Sequence, residues 1–263
     1  PVPLVTDTSP VPQPSPIEAP ESTEVEEQQE GSLIGHELTW FDYGQNRYTS
    51  TLAVNSNALQ SSESNRNNFF KRLSTGQAYN ELLYALYSND FSKLNLVYEA
   101  FDQLKENHGL SGYQFAEVLI SCIQYLPYNL VLDGPCQSAY YASESIKDYL
   151  SEGGPCVPNV KFGILAPIEY VAGLKGDCDT RTLLGFTLLN HYGFDVAILG
   201  SDVYSHSVLA INGPYNGVYK RINGKKYYMW ETTATQLRPG DMSREWSNPN
   251  YWDVNLIARN LNL

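Results

Sequence analysis

Three residues in the C-terminal half have side chains suited to thiol chemistry: Cys178, His206 and Glu231. Cys178 lies in Gly176-Asp177-Cys178-Asp179-Thr180-Arg181, directly ahead of a leucine-rich run that reads as a helix. With Asp177 or the preceding turn as the cap, the thiol falls in the first helical turn. The helix dipole and unpaired N–H groups favour an anion there, so a stabilised thiolate is expected. The same N–H groups suit a developing oxyanion. His206 belongs to a strand-like run, Ser205 to Ile211, in which a period of two puts His206, Val208 and Ala210 on one face. Small neighbours on that face leave room for the helix that carries Cys178. Glu231 ends an aromatic strand-like run and alternates with Tyr227 and Met229. A carboxylate there is costly to bury without a partner, and holding the histidine ring supplies one. Asp179 and Asp202 are rivals for that role. The plainer alternatives are a histidine satisfied by a backbone carbonyl and a carboxylate on an exposed strand end. His36 adjoins a linker-like segment, and His108 and His191 sit at helix ends, where positive charge explains them without chemistry.

The elements that must carry these residues follow from periodicity. Residues 37–55 read as a hairpin, with Gly44-Gln45-Asn46 as its turn. From about 57 to 126 the pattern is helical, with a break at Ser74-Thr75-Gly76. Its last helix carries Phe115, Val118, Leu119, Cys122 and Leu126 on one face, which makes Cys122 a small apolar filler. An irregular stretch runs from Pro127 to about 165. Helical sequence resumes near Pro167 and spans Cys178 to Leu189; strand-like runs follow at 194–199, 205–211, 226–230 and 254–257. Helices first and strands afterwards predict an α+β fold with a helical N-terminal part packed on an antiparallel sheet. Three regions are expected: a disordered Pro/Glu-rich linker at 1–32, a hairpin and helical region at 33–110, and a core at 111–263.

Charge and cysteine usage narrow the setting. The chain carries a formal −12, of which residues 1–30 supply seven negative charges and no positive one. The remainder is mildly acidic and holds no long basic run, which argues against nucleic-acid binding. Seven of the fifteen prolines lie in the first twenty positions, so this segment is expected to serve as an extended spacer. Because the sequence opens on Pro1, a leader or a membrane anchor upstream of residue 1 is expected. Cys136 and Cys156 both sit in Gly-Pro-Cys turns and are expected to form a disulfide, worth about 3 kcal/mol by loop closure. Such a bond places the protein outside the cytoplasm, whether periplasmic, secreted or membrane-anchored. No Cys or His lies at zinc-ligand spacing from either cysteine, and no metal or cofactor is expected.

The order Cys, His, carboxylate on a helix and two later strands resembles the transglutaminase-like superfamily, with its papain-type core. The motifs that carry the resemblance are Gly176-Asp-Cys-Asp-Thr180 before a Leu-rich helix, the lone His206 in a strand, and Glu231-Thr232-Thr233 after an aromatic strand. Ile123-Gln-Tyr-Leu-Pro-Tyr128 is similar to a Val-Gln-x-Ile-Pro-Tyr stretch of bacterial members, and Ala166-Pro-Ile-Glu-Tyr170 to a Pro-x-Glu segment preceding the cysteine. Together these span roughly 115 to 235. The third member of the triad is usually Asp in that family, so Glu231 is a departure; the segment around Cys136 and Cys156 has no counterpart there. The resemblance implies catalytic Cys178, His206 and Glu231, with Gln124 as a donor to the oxyanion. It implies cleavage of a peptide or amide bond in a peptide or protein substrate through a thioester, with transfer to a lysine amine as the other outcome. The alternative is a non-catalytic protein-binding module on the same fold, displayed on a flexible stalk.

Overall fold

The computed structural model describes residues 31–73 and 75–258. The linker expected at 1–32 therefore lies outside the described residues, except for Gly31 and Ser32, as does Ser74 of the expected break. The chain begins with a hairpin, β1 (Leu33–Phe41) and β2 (Arg47–Asn55), in a nine-pair antiparallel ladder. It starts four residues earlier than the pattern suggests, because Leu33 and Ile34 extend the ladder to Asn55 and Val54. Helices α1 (Ser56–Asn68), α2 (Gly76–Asp90), α3 (Asn95–His108) and α4 (Gly112–Tyr125) follow. The irregular stretch contains β3 (Leu130–Val131), α5 (Glu144–Ser151) and β4 (Cys156–Val157), with β3 and β4 paired in parallel. Then come α6 (Pro167–Gly173) and α7 (Cys178–His191), and five strands: β5 (Val196–Ser201), β6 (His206–Ile211), β7 (Tyr219–Ile222), β8 (Lys225–Trp230) and β9 (Asp253–Ala258). These five form one antiparallel sheet in the order β7-β8-β6-β5-β9. The fold is α+β, with the helical N-terminal part against that sheet.

Each sheet face has its own core. On one face Leu209, Ile211 and Trp230 join the helices in a cluster running from Trp40 of β1 through Leu82, Phe101 and Ile120 to Leu188, so the core is continuous across residue 110. Helix α7 is buried on all sides: Leu183, Leu184, Phe186, Leu188 and Leu189 are each essentially inaccessible. At roughly 1.5–3 kcal/mol per buried side chain, this helix is a principal contributor to the core. Gly185 allows its close approach to β6, because a Cβ there would stand 2.6 Å from Leu209 Cδ1. On the other face Val208, Ala210, Tyr227 and Met229 pack with Trp252, and Met242 and Trp246 lie against them.

Helix α1 is attached by polar contacts in place of an apolar stripe. Buried Arg66 forms a forked ion pair with Glu169 of α6, its Nη2 2.7 Å from Oε1. Ser62 donates to Asp90 at 2.7 Å, and Asp90 also accepts Ile168 N–H at the start of α6. Burial pushes the Asp90 carboxyl up to about 6, against the N–H of Ile168 and the hydroxyl of Ser62. Phe69 to Leu73, read as helical, instead lie beyond the end of α1, and Phe70 is exposed. Cys136 and Cys156 form the expected disulfide, while Cys122 is buried in α4 and its thiol is pushed up by burial. No helix among the described residues is long and apolar enough to cross a membrane.

Candidate active site

Cys178 is the first residue of α7, and Asp177 is its cap. Asp177 Oδ1 accepts Thr180 N–H at 3.2 Å, while Oδ2 accepts Val131 N–H at 3.2 Å, tying the disulfide-closed excursion to the helix start. Gly176 is required before it: a Cβ would meet the Tyr170 ring at 2.8 Å and Thr180 Cγ2 at 2.7 Å. Arg181, one turn into the helix, is fully buried and binds three carbonyls: Gly176 at 3.3 Å, Thr232 at 2.7 Å, and Leu126. Its guanidinium also lies 5.7 Å from the centre of the Tyr128 ring. One side chain thus fixes the cysteine turn against the end of α4 and the segment after Glu231.

His206 opens β6, directly after Ser205, whose φ of +49° turns the chain into the strand. Its Nε2 lies 2.8 Å from Glu231 Oε2, with side-chain exposures of 9% and 4%, so the pair is shielded from water. Glu231 Oε1 accepts three further bonds, from Thr232 N–H, Thr233 N–H and the Thr233 hydroxyl, at 2.8, 2.8 and 2.7 Å. Burial disfavours the charged carboxyl, but the hydrogen bond and charge of His206 and the two Thr233 donors outweigh it. Glu231 is held below the ordinary carboxylate value. Of the carboxylates weighed from sequence, Glu231 meets the imidazole. Asp202 is exposed in the β5–β6 turn, and Asp179 is close enough to feel the imidazole charge without bonding to it.

The thiol's environment departs from the sequence expectation. Val208 and Ala210 share a face with His206, but the Trp246 and Trp252 segment covers that face. Helix α7 packs on the opposite face of β6, and there Ser207 main-chain N–H points at the Cys178 sulfur. Thr182 bonds to Ser207 C=O at 3.3 Å and completes this contact. Burial pushes the Cys178 thiol well up, and the Asp179 and Asp177 carboxylates push in the same direction against the Ser207 N–H. Desolvation and the two flanking acids thus oppose the thiolate that a helix N-terminus is expected to favour. Those acids are themselves held up by burial, and Asp179 further borders Tyr79 of α2.

Gln124 stands elsewhere than the resemblance implies. Both its N–H groups are engaged, by Glu231 C=O at 2.7 Å and Leu237 C=O at 2.8 Å, so neither is left for an oxyanion. It is buried, and it fixes the main chain of Glu231 from α4. Ser207, Arg181 and Trp246 carry no sequence signal, since each acts through its place in the fold. Trp246 covers the imidazole with ring centres 4.5 Å apart, and its carbonyl accepts Trp252 Nε1–H at 2.9 Å. Tyr128 reaches the same neighbourhood, where Cys178 and Asp177 add to the burial that raises its hydroxyl. Among the described residues no group of three or more His, Cys, Asp or Glu side chains is arranged to hold a metal. Comparison with protein-family models, with curated proteins and with solved structures finds no match.

Proposed function

We propose that the chain is a transglutaminase-like thiol hydrolase, a protease or amidase acting on peptide or amide bonds outside the cytoplasm. The observation that supports it is the buried 2.8 Å pair of His206 and Glu231, with the N–H of Ser207, the next residue, directed at the sulfur of Cys178 in the first turn of α7. A structural histidine does not need a carboxylate held by three further donors; an imidazole that must become cationic does. In this reading Nε2 of His206 stays on Glu231 and, because His206 is the end residue of β6, its Nδ1 reaches around the strand end to take the thiol proton. The sulfur then attacks the carbonyl carbon, and the oxyanion meets main-chain N–H groups at the start of α7. His206 returns the proton to the leaving amine, and water hydrolyses the thioester. A lysine amine in place of water makes the same site a transamidase.

The second reading is a protein-binding module, and the burial that opposes a Cys178 thiolate favours it. Incubation with a mixed peptide library, followed by mass spectrometry of new termini, separates the two. Hydrolysis requires new termini from wild type that are absent with Cys178→Ala and with His206→Ala. Intact peptides in all three samples leave the binding module.

A further inference from the structure

The β7–β8 hairpin has a feature that the thiol site does not use. Its type I′ turn, Asn223-Gly224, has φ of +49° and +83°, and Lys220, Arg221, Lys225 and Lys226 flank it within an acidic protein. Arg221 stands directly opposite Lys226, a like-charge pair that destabilises a sheet, although Arg221 Nη1 also donates to Gly224 C=O at 3.2 Å. Both cations lean on the Tyr219 ring, 5.9 and 4.5 Å from its centre, which holds them on one outer face. Lys225 is paired with Asp195 at 2.9 Å, whereas Lys220 reaches only the carbonyl of Pro249, at 3.0 Å. A groove of about 490 Å³ runs between residues 217–221 and the segment of Ser247, Pro249 and Asn250, and no acidic side chain lines it.

The groove's strand wall is a sheet edge, because β7 pairs with β8 alone. Val218 C=O accepts Met229 N–H in the register that also opposes Lys220 to Tyr227 and Ile222 to Lys225. Antiparallel alternation then turns the main-chain N–H and C=O of Tyr219 and Arg221 away from β8, toward the groove. A simple anion site has no use for such a row of main-chain groups; an extended peptide does.

We propose that this edge binds an extended acidic peptide segment of a partner or substrate protein as an added strand. Carboxylates on one side of the strand meet Arg221 and Lys226, and those on the other meet Lys220. The Arg221–Lys226 end of the site stands apart from the thiol chemistry, Lys226 and Glu231 being five residues apart, about 17 Å at strand rise, whereas the Ser247 end adjoins Trp246 over the imidazole. The test uses Cys178→Ala protein and fluorescence anisotropy of a short labelled peptide alternating Glu and Thr, at low and high salt. Saturable binding is expected, weakened by salt. It should fall about tenfold or more in Arg221→Glu/Lys226→Glu protein of unchanged circular dichroism, and as much for a peptide N-methylated at alternate residues. Absence of saturable binding, or equal binding by the charge-reversed protein, overturns the proposal. Equal affinity for the N-methylated peptide or for inorganic polyphosphate overturns the added strand and leaves a plain anion patch. Because hydrolysis is not read, failure here is separate from failure of the thiol assignment.

Discussion

Replacing Glu231 tests how far one carboxylate organises the site. It accepts four hydrogen bonds, from His206, Thr232 N–H, Thr233 N–H and the Thr233 hydroxyl. In Glu231→Ala the imidazole and two main-chain N–H groups lose their acceptor in a region closed to water. Each orphaned buried donor costs about 1–3 kcal/mol, so the variant should lose about 3–5 kcal/mol, moderated by water entering the space. Glu231→Gln keeps one oxygen for the Thr232 and Thr233 donors and should lose about 1–2 kcal/mol. The pH dependence follows from the depressed Glu231 carboxyl. A folded-state value below the unfolded one means the unfolded chain binds the proton more readily. This contribution is complete above the unfolded value and is lost as pH falls through the folded one. Urea denaturation of the three proteins, at neutral pH and below pH 4, measures all of this. A loss below about 1 kcal/mol in Glu231→Ala, or equal acid sensitivity in wild type and that variant, would refute the reasoning.

Other outcomes follow from contacts around the same centre. Arg181→Met leaves the buried carbonyls of Thr232 and Leu126 without a donor, while Gly176 C=O keeps Asn129 N–H, and should cost about 2–4 kcal/mol in urea denaturation; Arg181→Lys, which lacks the fork, should recover only part of that. Arg66→Met leaves buried Glu169 unpaired and should cost about 3–5 kcal/mol, with the double variant Arg66→Met/Glu169→Met recovering much of it in a double-mutant cycle. Removal of the carboxylate that opposes the thiolate most, in Asp179→Asn, should lower the Cys178 thiol and speed its alkylation near neutral pH, as read by mass spectrometry. In the native, unreduced protein Cys136 and Cys156 should resist alkylation, and free labelling of either at the outset would remove the disulfide from the account.

The site's residue types were legible because Cys178, His206 and Glu231 each stand at an element boundary flanked by a clear pattern. The leucine run after Cys178 announced α7, and alternation placed Glu231 with Tyr227 and Met229, where the structure has both tyrosine and methionine. Periodicity says which face a residue shares, but not what covers that face. It therefore put α7 on the His206 side of β6, when Trp246 and Trp252 cover it. Likewise the sequence offers Asp177 as a helix cap and Asp179 as a rival partner for His206, and only their burial beside the sulfur turns them against the thiolate. Helix α1 went unanchored in the pattern because Arg66 and Ser62, not leucines, attach it. Strand β7 was missed although Asn223-Gly224 is a strong hairpin signal, because Lys220 and Arg221 break the apolar alternation expected of a strand. β5 began two residues late because Gly193 and Phe194 first close the end of α7, with Phe194 N–H on Leu189 C=O.

In the proposed mechanism Cys178 and His206 act as one acid–base unit held by Glu231. The rate of Cys178 alkylation by iodoacetamide, followed from acid to mildly alkaline pH in wild type, His206→Ala and Glu231→Ala, measures it most directly. Because burial and the flanking acids oppose the thiolate, labelling should be slow in acid and rise with pH as His206 assists. That rise should be blunted in both variants at equal foldedness by circular dichroism. Labelling that follows an ordinary thiol near pH 8.5, with the same profile in all three proteins, would show that Cys178 and His206 do not act together.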